Sequence, residues 1–414
     1  MKVAIVYHSF PHYREAVLRE LLNSPRHDYL LVADEQPADQ SIKPWPVADR
    51  SRFVPARCHR LFGAFLFQSG LMKLGLRRDL DAVIYLGNPY LVSTWLSALL
   101  ARLSGKRVLF WTHGWTRDER GPKARFRILL YWLSHGLLLH GHFAKMAGIK
   151  RGFPPERLHV IYNSLDYEKQ KRLRDAIRPE ETVALRRSLF PRADLPVVMC
   201  SARLTDSCQL ELLLQAQAIL RQQGHEFNVL LIGEGPARSA LERMAHELQL
   251  SVHFHGACYD ESTLARLTAT AWLTVSPGKI GLTAMQSLAY GVPVVTHDDV
   301  ATQMPEWEAI QCGLTGQLFR PGDAADLART IRTWTQKPPD PATRAACYSI
   351  IERFYNARFQ RRAIERALEG RPADDLFWLK EPEACAVPPQ LPGQSRFPSA
   401  VAGEEPAREF SKQP

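Results

Sequence analysis

Short apolar runs of strand character alternate with segments of helical periodicity along almost the whole chain. This alternation predicts parallel sheets, because a parallel strand pair needs a long crossover connection, which is usually a right-handed helical one. The predicted strands form two series, Val3–Tyr7, Tyr29–Val32, Ala82–Leu86, Val108–Thr112, Leu137–His140 and His159–Tyr162, then Val197–Cys200, Val229–Ile232, Val252–His255, Leu273–Ser276 and Val292–Thr296. The sequence therefore predicts an α/β protein with two doubly wound domains, whose ligands lie at the carboxyl ends of the strands.

A polar segment separates the two series of strands. Residues 166–193 are rich in Arg, Lys and Glu, and a chain of 414 residues is too long for a single hydrophobic core. After a Pro-rich break, Arg344–Leu368 has helical periodicity, and the last residues are rich in proline with little periodicity. We therefore assign four units: a first domain at 1–165, a second domain at 166–336, a C-terminal helical unit at 337–370 and a disordered tail at 371–414.

The stretch Ser276–Val295 has the pattern of a strand, a helix that opens on a glycine, and a second buried strand. A helix that begins at Gly281–Thr283 presents free backbone N–H groups and the positive end of its dipole, which favours a phosphate. This layout resembles the donor-binding signature of family 4 glycosyltransferases (glycosyl transferases group 1), which have the GT-B fold of two Rossmann-like domains facing across a cleft. The alternative is that the stretch is only a βαβ core unit.

The resemblance implies that the second domain binds a nucleotide diphosphate sugar. Its donor-binding residues would be Arg203, Gly233, Gly235, Gly278, Gly281, Leu282, Thr283 and Gln286. The arginine suits a diphosphate because a guanidinium is permanently charged and bidentate, although it can also be an ordinary surface residue. No Asp-x-Asp pair stands at a strand end, so we expect no metal and no cofactor besides the donor. The resemblance also implies that the last helix crosses back onto the first domain.

Three donor-site positions depart from the family pattern. Cys208 stands where the family has a lysine, and Gly278 and Gln286 stand where it usually has two glutamates. The amide of Gln286 can still bind a ribose, whereas Gly278 can offer only backbone amides to the sugar or phosphate. Lys279 or Arg238 can supply the charge that the cysteine lacks.

In the first domain, His113 follows a predicted buried strand and precedes a glycine, so its side chain is expected to point into the cleft. It matches the family's histidine near the reacting sugar, which implies a catalytic role; the alternative is a histidine that only caps the strand. The first strand is followed by His12, Tyr13 and Arg14 instead of a glycine-rich turn, and we expect these three side chains to face the acceptor. Arg117 and Asp118 can orient an acceptor or phosphate, or simply be solvated.

The formal net charge is +10. The excess is compatible with a solvated basic surface or with peripheral contact with an anionic membrane. The stretches 71–78 and 123–133 mix apolar and basic residues, which fits a helix lying on a bilayer or a buried core helix whose basic side chains reach the surface. No nucleic-acid-binding motif accompanies the charge, so nucleic acid is not an expected partner. The seven scattered cysteines are typical of reduced thiols, and no signal peptide or membrane span is predicted. We therefore expect a cytoplasmic protein.

The sequence thus predicts a hexosyltransferase-type glycosyltransferase (EC 2.4) that acts in polysaccharide or glycoconjugate biosynthesis. It would move a sugar from a nucleotide diphosphate sugar to a glycan or lipid-linked acceptor, with retention at the anomeric carbon. The altered donor residues keep an alternative open, in which a catalytically degenerate GT-B protein acts as a partner or nucleotide-sugar sensor. An epimerase or phosphorylase on the same fold is a weaker alternative. The sugar, base and acceptor are not specified by the sequence.

Overall fold

Two parallel β-sheets with flanking helices make up the computed structural model, which describes residues 1–37, 44–47, 49–115 and 121–373. The strands are β1 (Lys2–Val6), β2 (Asp28–Ala33), β3 (Phe53–Pro55), β4 (Cys58–Arg60), β5 (Leu66–Gln68), β6 (Ala82–Leu86), β7 (Arg107–Thr112), β8 (Gly136–Leu139), β9 (Leu158–Val160), β10 (Val197–Ser201), β11 (Asn228–Ile232), β12 (Val252–Gly256), β13 (Leu273–Ser276), β14 (Val294–His297) and β15 (Gly316–Phe319). The helices are α1 (Glu15–Leu22), α2 (Leu71–Leu76), α3 (Val92–Leu103), α4 (Pro122–Trp132), α5 (His142–Lys150), α6 (Tyr167–Ala176), α7 (Pro179–Leu189), α8 (Leu210–Gln222), α9 (Arg238–Glu247), α10 (Glu261–Thr270), α11 (Leu282–Ala289), α12 (Ala324–Thr335), α13 (Pro341–Arg353) and α14 (Ala357–Leu368).

The first sheet has the order β3-β2-β1-β6-β7-β8-β9, with parallel pairing throughout. Both of its faces are buried: Val3 and Ile5 contribute to one apolar cluster, and Ala4 and Val6 to another on the opposite face. This two-sided burial is why the strands are continuous apolar runs in the sequence rather than alternating ones. β4 and β5 form a separate antiparallel hairpin.

The second sheet has the order β12-β11-β10-β13-β14-β15, again all parallel. The carboxyl ends of β11, β10 and β13 therefore lie side by side. The loops that follow these three strands carry most of the residues that the sequence assigns to the donor, so the topology brings them to one edge of the sheet.

Every predicted strand is present, but the sequence analysis missed β3, β4, β5 and β15. The helical segment predicted at Arg344–Leu368 is two helices, α13 and α14, rather than one. The break has a local cause: the side chain of Asn356 accepts a hydrogen bond from the N–H of Phe359 (2.9 Å) and caps α14. The polar residues 166–193 form α6 and α7, which pack on the second domain.

Helix α14 packs against α1 of the first domain. The hydroxyl of Ser24 donates a hydrogen bond to the buried carboxylate of Glu365 (2.6 Å), and Arg361 forms an ion pair with Glu20 (3.2 Å). These contacts join the C-terminal end of the described chain to the first domain.

Five of the cysteines are free thiols: Cys58, Cys200, Cys208, Cys258 and Cys347. Cys312 is disulfide-bonded, so the prediction of reduced thiols throughout is wrong for that residue. Within the described residues, no helix combines the length and apolarity that a membrane span needs. The tail prediction falls mainly on 374–414, which lie outside the described residues, as do Arg117 and Asp118.

Candidate active site

Two buried glutamates after β14 join the carboxyl edges of the two sheets. The carboxylate of Glu308 accepts hydrogen bonds from the backbone N–H groups of His142 (2.8 Å) and Phe143 (2.8 Å) at the start of α5. Glu306 accepts one from the side chain of Asn163 (2.8 Å), which follows β9. Burial raises the pKa of both acids, that of Glu308 to about 7. The carboxyl ends of both sheets meet at these contacts, and we call the space between them the cleft.

On the second domain, the loop after β10 packs tightly against the loop after β13. The N–H of Gly278 donates a hydrogen bond to the carbonyl of Cys208 (3.0 Å), so it is not free for a ligand, contrary to the expectation from the sequence. A Cβ at position 278 would lie 2.4 Å from the carbonyl oxygen of Ser207 and 2.9 Å from Cα of Cys208. Only a glycine fits there, so the two departures from the family pattern, at 208 and 278, lie against each other as one packed unit.

The turn after β11 also depends on glycines that allow another loop to approach its backbone closely. A Cβ at Gly233 would lie 1.9 Å from the carbonyl oxygen of Ala202, and one at Gly235 would lie 2.2 Å from that of Leu204. Gly233 also has a φ of +146°, which side chains rarely adopt. The two glycines thus let the loop after β10 lie against this turn, where the N–H of Leu204 donates to the carbonyl of Glu234 (3.0 Å).

The start of α11 lies at the same edge of the sheet. The hydroxyl of Thr283 donates to the carbonyl of Ser201 at the end of β10 (2.8 Å), which fixes the helix beside that strand. The cap residue, Gly281, makes no side-chain capping bond, and a Cβ there would meet nothing within 4 Å. The first N–H groups of the helix, including that of Leu282, have no helical acceptor, so they and the helix dipole can stabilise an anion.

Two exposed cations lie on the same loops. Arg203 follows β10 and Lys279 follows Gly278, and neither side chain has an ion-pair partner among the residues that the structure describes. In contrast, Arg238 forms ion pairs with Glu234 and Glu242, so its charge is already balanced. Of the two residues considered as substitutes for the missing lysine, only Lys279 is available.

Gln286 lies one turn further along α11 and is half-buried. Its side-chain oxygen accepts a hydrogen bond from the side chain of Gln170 in α6 (2.6 Å). An amide oxygen has a second lone pair and the NH₂ group has two hydrogens, so this contact leaves Gln286 with hydrogen-bonding capacity for a ribose hydroxyl.

On the first domain, His113 stands directly after β7, at the carboxyl edge of the sheet, and is exposed. Its Nδ1 lies 3.2 Å from Nδ1 of His140, and Nε2 of His140 accepts a hydrogen bond from the indole N–H of Trp111 (2.8 Å). Although one side of the ring is open, burial of its other side and the nearby charge of Arg14 lower the pKa of His113 to about 4. His113 is thus a neutral ring at neutral pH.

The three predicted acceptor residues do not all face the cleft. His12 is exposed and Tyr13 is half-buried, whereas Arg14 is buried. Its guanidinium Cζ lies 4.6 Å from the ring centre of Trp111 and 5.4 Å from that of Tyr7. The prediction that Arg14 projects towards an acceptor is therefore wrong, because aromatic rings enclose its charge inside the first domain.

Sequence reasoning missed His140 and Glu308. A signal was available for the first, because His140 is the last residue of a predicted strand and His113 directly follows another. The second gave no local signal, because its partners are backbone groups more than 160 positions away. Across the described ranges, no group of three or more His, Cys, Asp or Glu side chains is arranged to hold a metal ion.

Comparisons with known proteins identify the chain's relatives. Residues 16–169 match the family model "Glycosyltransferase Family 4", and residues 183–350 match "Glycosyl transferases group 1". EpsD of Bacillus subtilis is 25% identical over 256 residues, which is 59% of this chain and 64% of EpsD. The GDP-mannose-dependent alpha-(1-6)-phosphatidylinositol dimannoside mannosyltransferase of Mycobacterium tuberculosis is 34% identical over 122 residues, 28% of this chain and 30% of that protein. The chain thus covers less than two thirds of these curated relatives.

Solved structures with the same architecture include Anabaena HepE in complex with UDP, with a TM-score of 0.68 at 18% identity over 89% of this chain and 100% of that one. The apo form of the lipopolysaccharide outer core galactosyltransferase WaaB gives a TM-score of 0.65 at 15% identity, over 89% and 99%. These neighbours confirm the predicted fold. Because the two family models together match more than three quarters of the residues, the chain belongs to the glycosyltransferases of the GT-B fold.

Proposed function

We propose that the protein is a hexosyltransferase-type glycosyltransferase (EC 2.4) that moves a sugar from a nucleotide diphosphate sugar to a hydroxyl of a glycan or lipid-linked acceptor. The observation that carries this proposal is that two cations without an ion-pair partner among the described residues lie beside a helix N-terminus at one edge of the second sheet. Arg203, Lys279 and the first N–H groups of α11 together form a site for a diphosphate. The relatives named as glycosyltransferases and the neighbour solved with UDP support this donor class.

The proposed reaction needs stabilisation of a leaving group more than a strong base. The bond between the anomeric carbon and the diphosphate oxygen breaks, the acceptor oxygen bonds to that carbon, and the proton of the acceptor hydroxyl passes to an oxygen of the leaving diphosphate. Negative charge then builds on the diphosphate, next to the guanidinium of Arg203 and the dipole of α11. Retention at the anomeric carbon, a ribose contact of Gln286 and independence from metal belong to the proposal through the family resemblance.

A release assay distinguishes this proposal from its rival, a degenerate nucleotide-sugar sensor. The purified full chain is incubated with a panel of UDP-, GDP- and ADP-sugars, and the released nucleoside diphosphate is measured with and without acceptor extracts. An active transferase releases diphosphate from at least one donor and faster with acceptor. Saturable binding of a nucleotide sugar without any release would favour the sensor.

The acceptor side is proposed to include an anionic membrane surface. Helix α3 buries its small and polar residues and exposes large apolar ones, which is the reverse of the usual amphipathic pattern. Leu103, the most exposed of them, is 76% exposed. Exposed cations at Lys73 and Arg102 lie on α2 and α3, which pack together. An apolar stripe beside basic residues fits the interface of an anionic bilayer. The outward stripe consists of Val92, Leu96, Leu99 and Leu103.

Vesicle sedimentation tests this surface. The protein should bind vesicles that contain phosphatidylglycerol more strongly than vesicles of phosphatidylcholine alone. Replacing Leu96 and Leu103 by Glu should abolish the binding, whereas Leu248→Glu, at an exposed leucine of the second domain, should not. Equal binding of all three proteins would contradict the membrane proposal, and with it a location on the cytoplasmic membrane face.

A further inference from the structure

A chain of hydrogen-bonded rings runs from the core of the first domain to the cleft. The indole N–H of Trp111 points at Nε2 of His140 (2.8 Å), and Nδ1 of His140 lies 3.2 Å from Nδ1 of His113. Nη2 of Arg14 also approaches Nε2 of His140 (3.4 Å). Only His113 is exposed, while the other three residues are buried.

Each contact determines where the protons are. An indole nitrogen and a guanidinium nitrogen only donate, so Nε2 of His140 is an acceptor and carries no hydrogen. The His140 ring then carries its hydrogen on Nδ1 and donates it to Nδ1 of His113. Since Nδ1 of His113 is thereby an acceptor, the hydrogen of His113 is on Nε2, at the opposite edge of the ring.

We infer that Trp111 and His140 are positioning residues that hold His113 as the Nε2–H tautomer, so that it presents a hydrogen-bond donor to the cleft. The chain also excludes a doubly protonated His113, because the ring would then direct an N–H at the N–H of His140. Burial and the positive charge of Arg14 act in the same direction, since they lower the pKa of both histidines. The two rings meet nearly perpendicular, with centres 4.5 Å apart.

The tautomer decides what the histidine can recognise. A donor at Nε2 binds an oxygen that has a free lone pair, such as a sugar hydroxyl or a phosphate oxygen, and it cannot take the proton of the acceptor hydroxyl. If the proposed function is correct, His113 therefore orients or stabilises oxygen in the transition state and is not the general base. The tautomer itself can be measured without any activity, so the two proposals can fail separately.

The first experiment is a long-range ¹⁵N–¹H correlation spectrum of the full chain labelled with ¹⁵N-histidine, at pH 7.5. Spectra of His113→Gln and His140→Gln, each lacking one ring, assign the two signals. We expect His113 as the Nε2–H tautomer and His140 as the Nδ1–H tautomer. A His113 signal of the Nδ1–H form, or of the imidazolium, would overturn the inference.

A matched pair of tryptophan variants tests the origin of this control. Trp111→Phe removes the N–H that fixes His140, whereas Trp115→Phe removes a buried indole N–H that has no hydrogen-bond partner among the described residues. Trp111→Phe should give His113 a mixed tautomer signal and lower the turnover of diphosphate release several-fold, with nucleotide affinity unchanged. Trp115→Phe should leave both unchanged. Equal effects of the two variants would contradict the inference.

Conservative rescue at position 140 covers the case in which Trp111→Phe does not fold. The side-chain NH₂ of an asparagine can replace Nδ1–H of a histidine as a donor, whereas leucine cannot donate. His140→Asn should therefore keep His113 as the Nε2–H tautomer and retain most of the turnover. His140→Leu should lose the tautomer preference and about tenfold in turnover, the size of one hydrogen bond. Identical His113 spectra in the two variants would refute the role of His140.

Discussion

Replacing Gly278 by alanine should destabilise the second domain, because the loop after β10 leaves no room for a side chain. The added Cβ would lie 2.4 Å from the carbonyl oxygen of Ser207 and 2.9 Å from Cα of Cys208. Both are backbone atoms, so a rotamer change cannot relieve the contact and the loop has to move by more than half an ångström. Overpacking of this kind costs about 1–3 kcal/mol, and loss of the hydrogen bond from Gly278 to Cys208 adds about 1 kcal/mol.

The expected total is about 2–4 kcal/mol, which corresponds to a fall of roughly 4–16 °C in melting temperature for a domain of this size. Urea denaturation and calorimetry of the full chain measure it. Gly281→Ala is the matched control, because a Cβ at that position meets nothing within 4 Å, and it should change stability by less than about 0.5 kcal/mol. Gly278→Glu, which restores the residue usual in the family, should be at least as destabilising as Gly278→Ala.

The same displacement should move Arg203, which lies on the loop that Gly278 contacts. Titration of Gly278→Ala with a nucleoside diphosphate should therefore show weaker binding than the wild type. If Gly278→Ala and Gly281→Ala are equally stable, the loops do not pack as described, and the departures at 208 and 278 are independent changes rather than one unit.

Two further predictions concern charge. Lys279→Ala should weaken nucleoside diphosphate binding about tenfold, and adding Cys208→Lys should restore part of the affinity in a calorimetric titration; unchanged binding in the single variant would remove Lys279 from the site. The free energy of unfolding, measured by urea denaturation, should be lower at pH 5.5 than at pH 7.5. Burial lowers the pKa of His140, and it lowers the pKa of His142 to about 3. The unfolded chain therefore binds protons at these histidines below about pH 6.5 while the folded chain does not, so stability that is present above this pH is lost as the pH falls. Burial raises the pKa of Glu308 to about 7, so the folded chain binds this proton first and gains stability as the pH falls through that value. Glu308→Gln should therefore make the free energy of unfolding fall more steeply between pH 7.5 and 5.5. An unchanged pH dependence would contradict this assignment.

The main strands could be predicted because a strand that is buried on both faces needs a continuous run of apolar residues, which is visible in the sequence. The hairpin of Cys58–Arg60 and Leu66–Gln68 could not, because its strands are three residues long and only partly buried. Asn356 is a good N-cap and could have indicated the start of α14. The sequence has helical periodicity on both sides of it, however, so the segment was predicted as a single helix.

The site residues also divide into those with a local sequence signal and those without one. His113 could be predicted from a strand end followed by glycine, which are local features. The inward direction of Arg14 could not, because it depends on the rings of Trp111, on β7, and Tyr7, just after β1. The packing of Gly278 on Cys208 depends on two loops 70 positions apart, so the sequence shows two odd residues and the structure shows why they occur together.

The central claim is that the second domain binds a nucleotide diphosphate sugar and the first domain completes its transfer. Steady-state release of nucleoside diphosphate by the wild type, Arg203→Ala and His113→Ala tests it most directly, with nucleotide affinity measured in parallel. We predict release by the wild type, weaker nucleotide binding in Arg203→Ala, and about tenfold lower turnover with unchanged affinity in His113→Ala. A wild-type chain that releases no diphosphate from any nucleotide sugar, or two variants that behave like the wild type, would contradict the account.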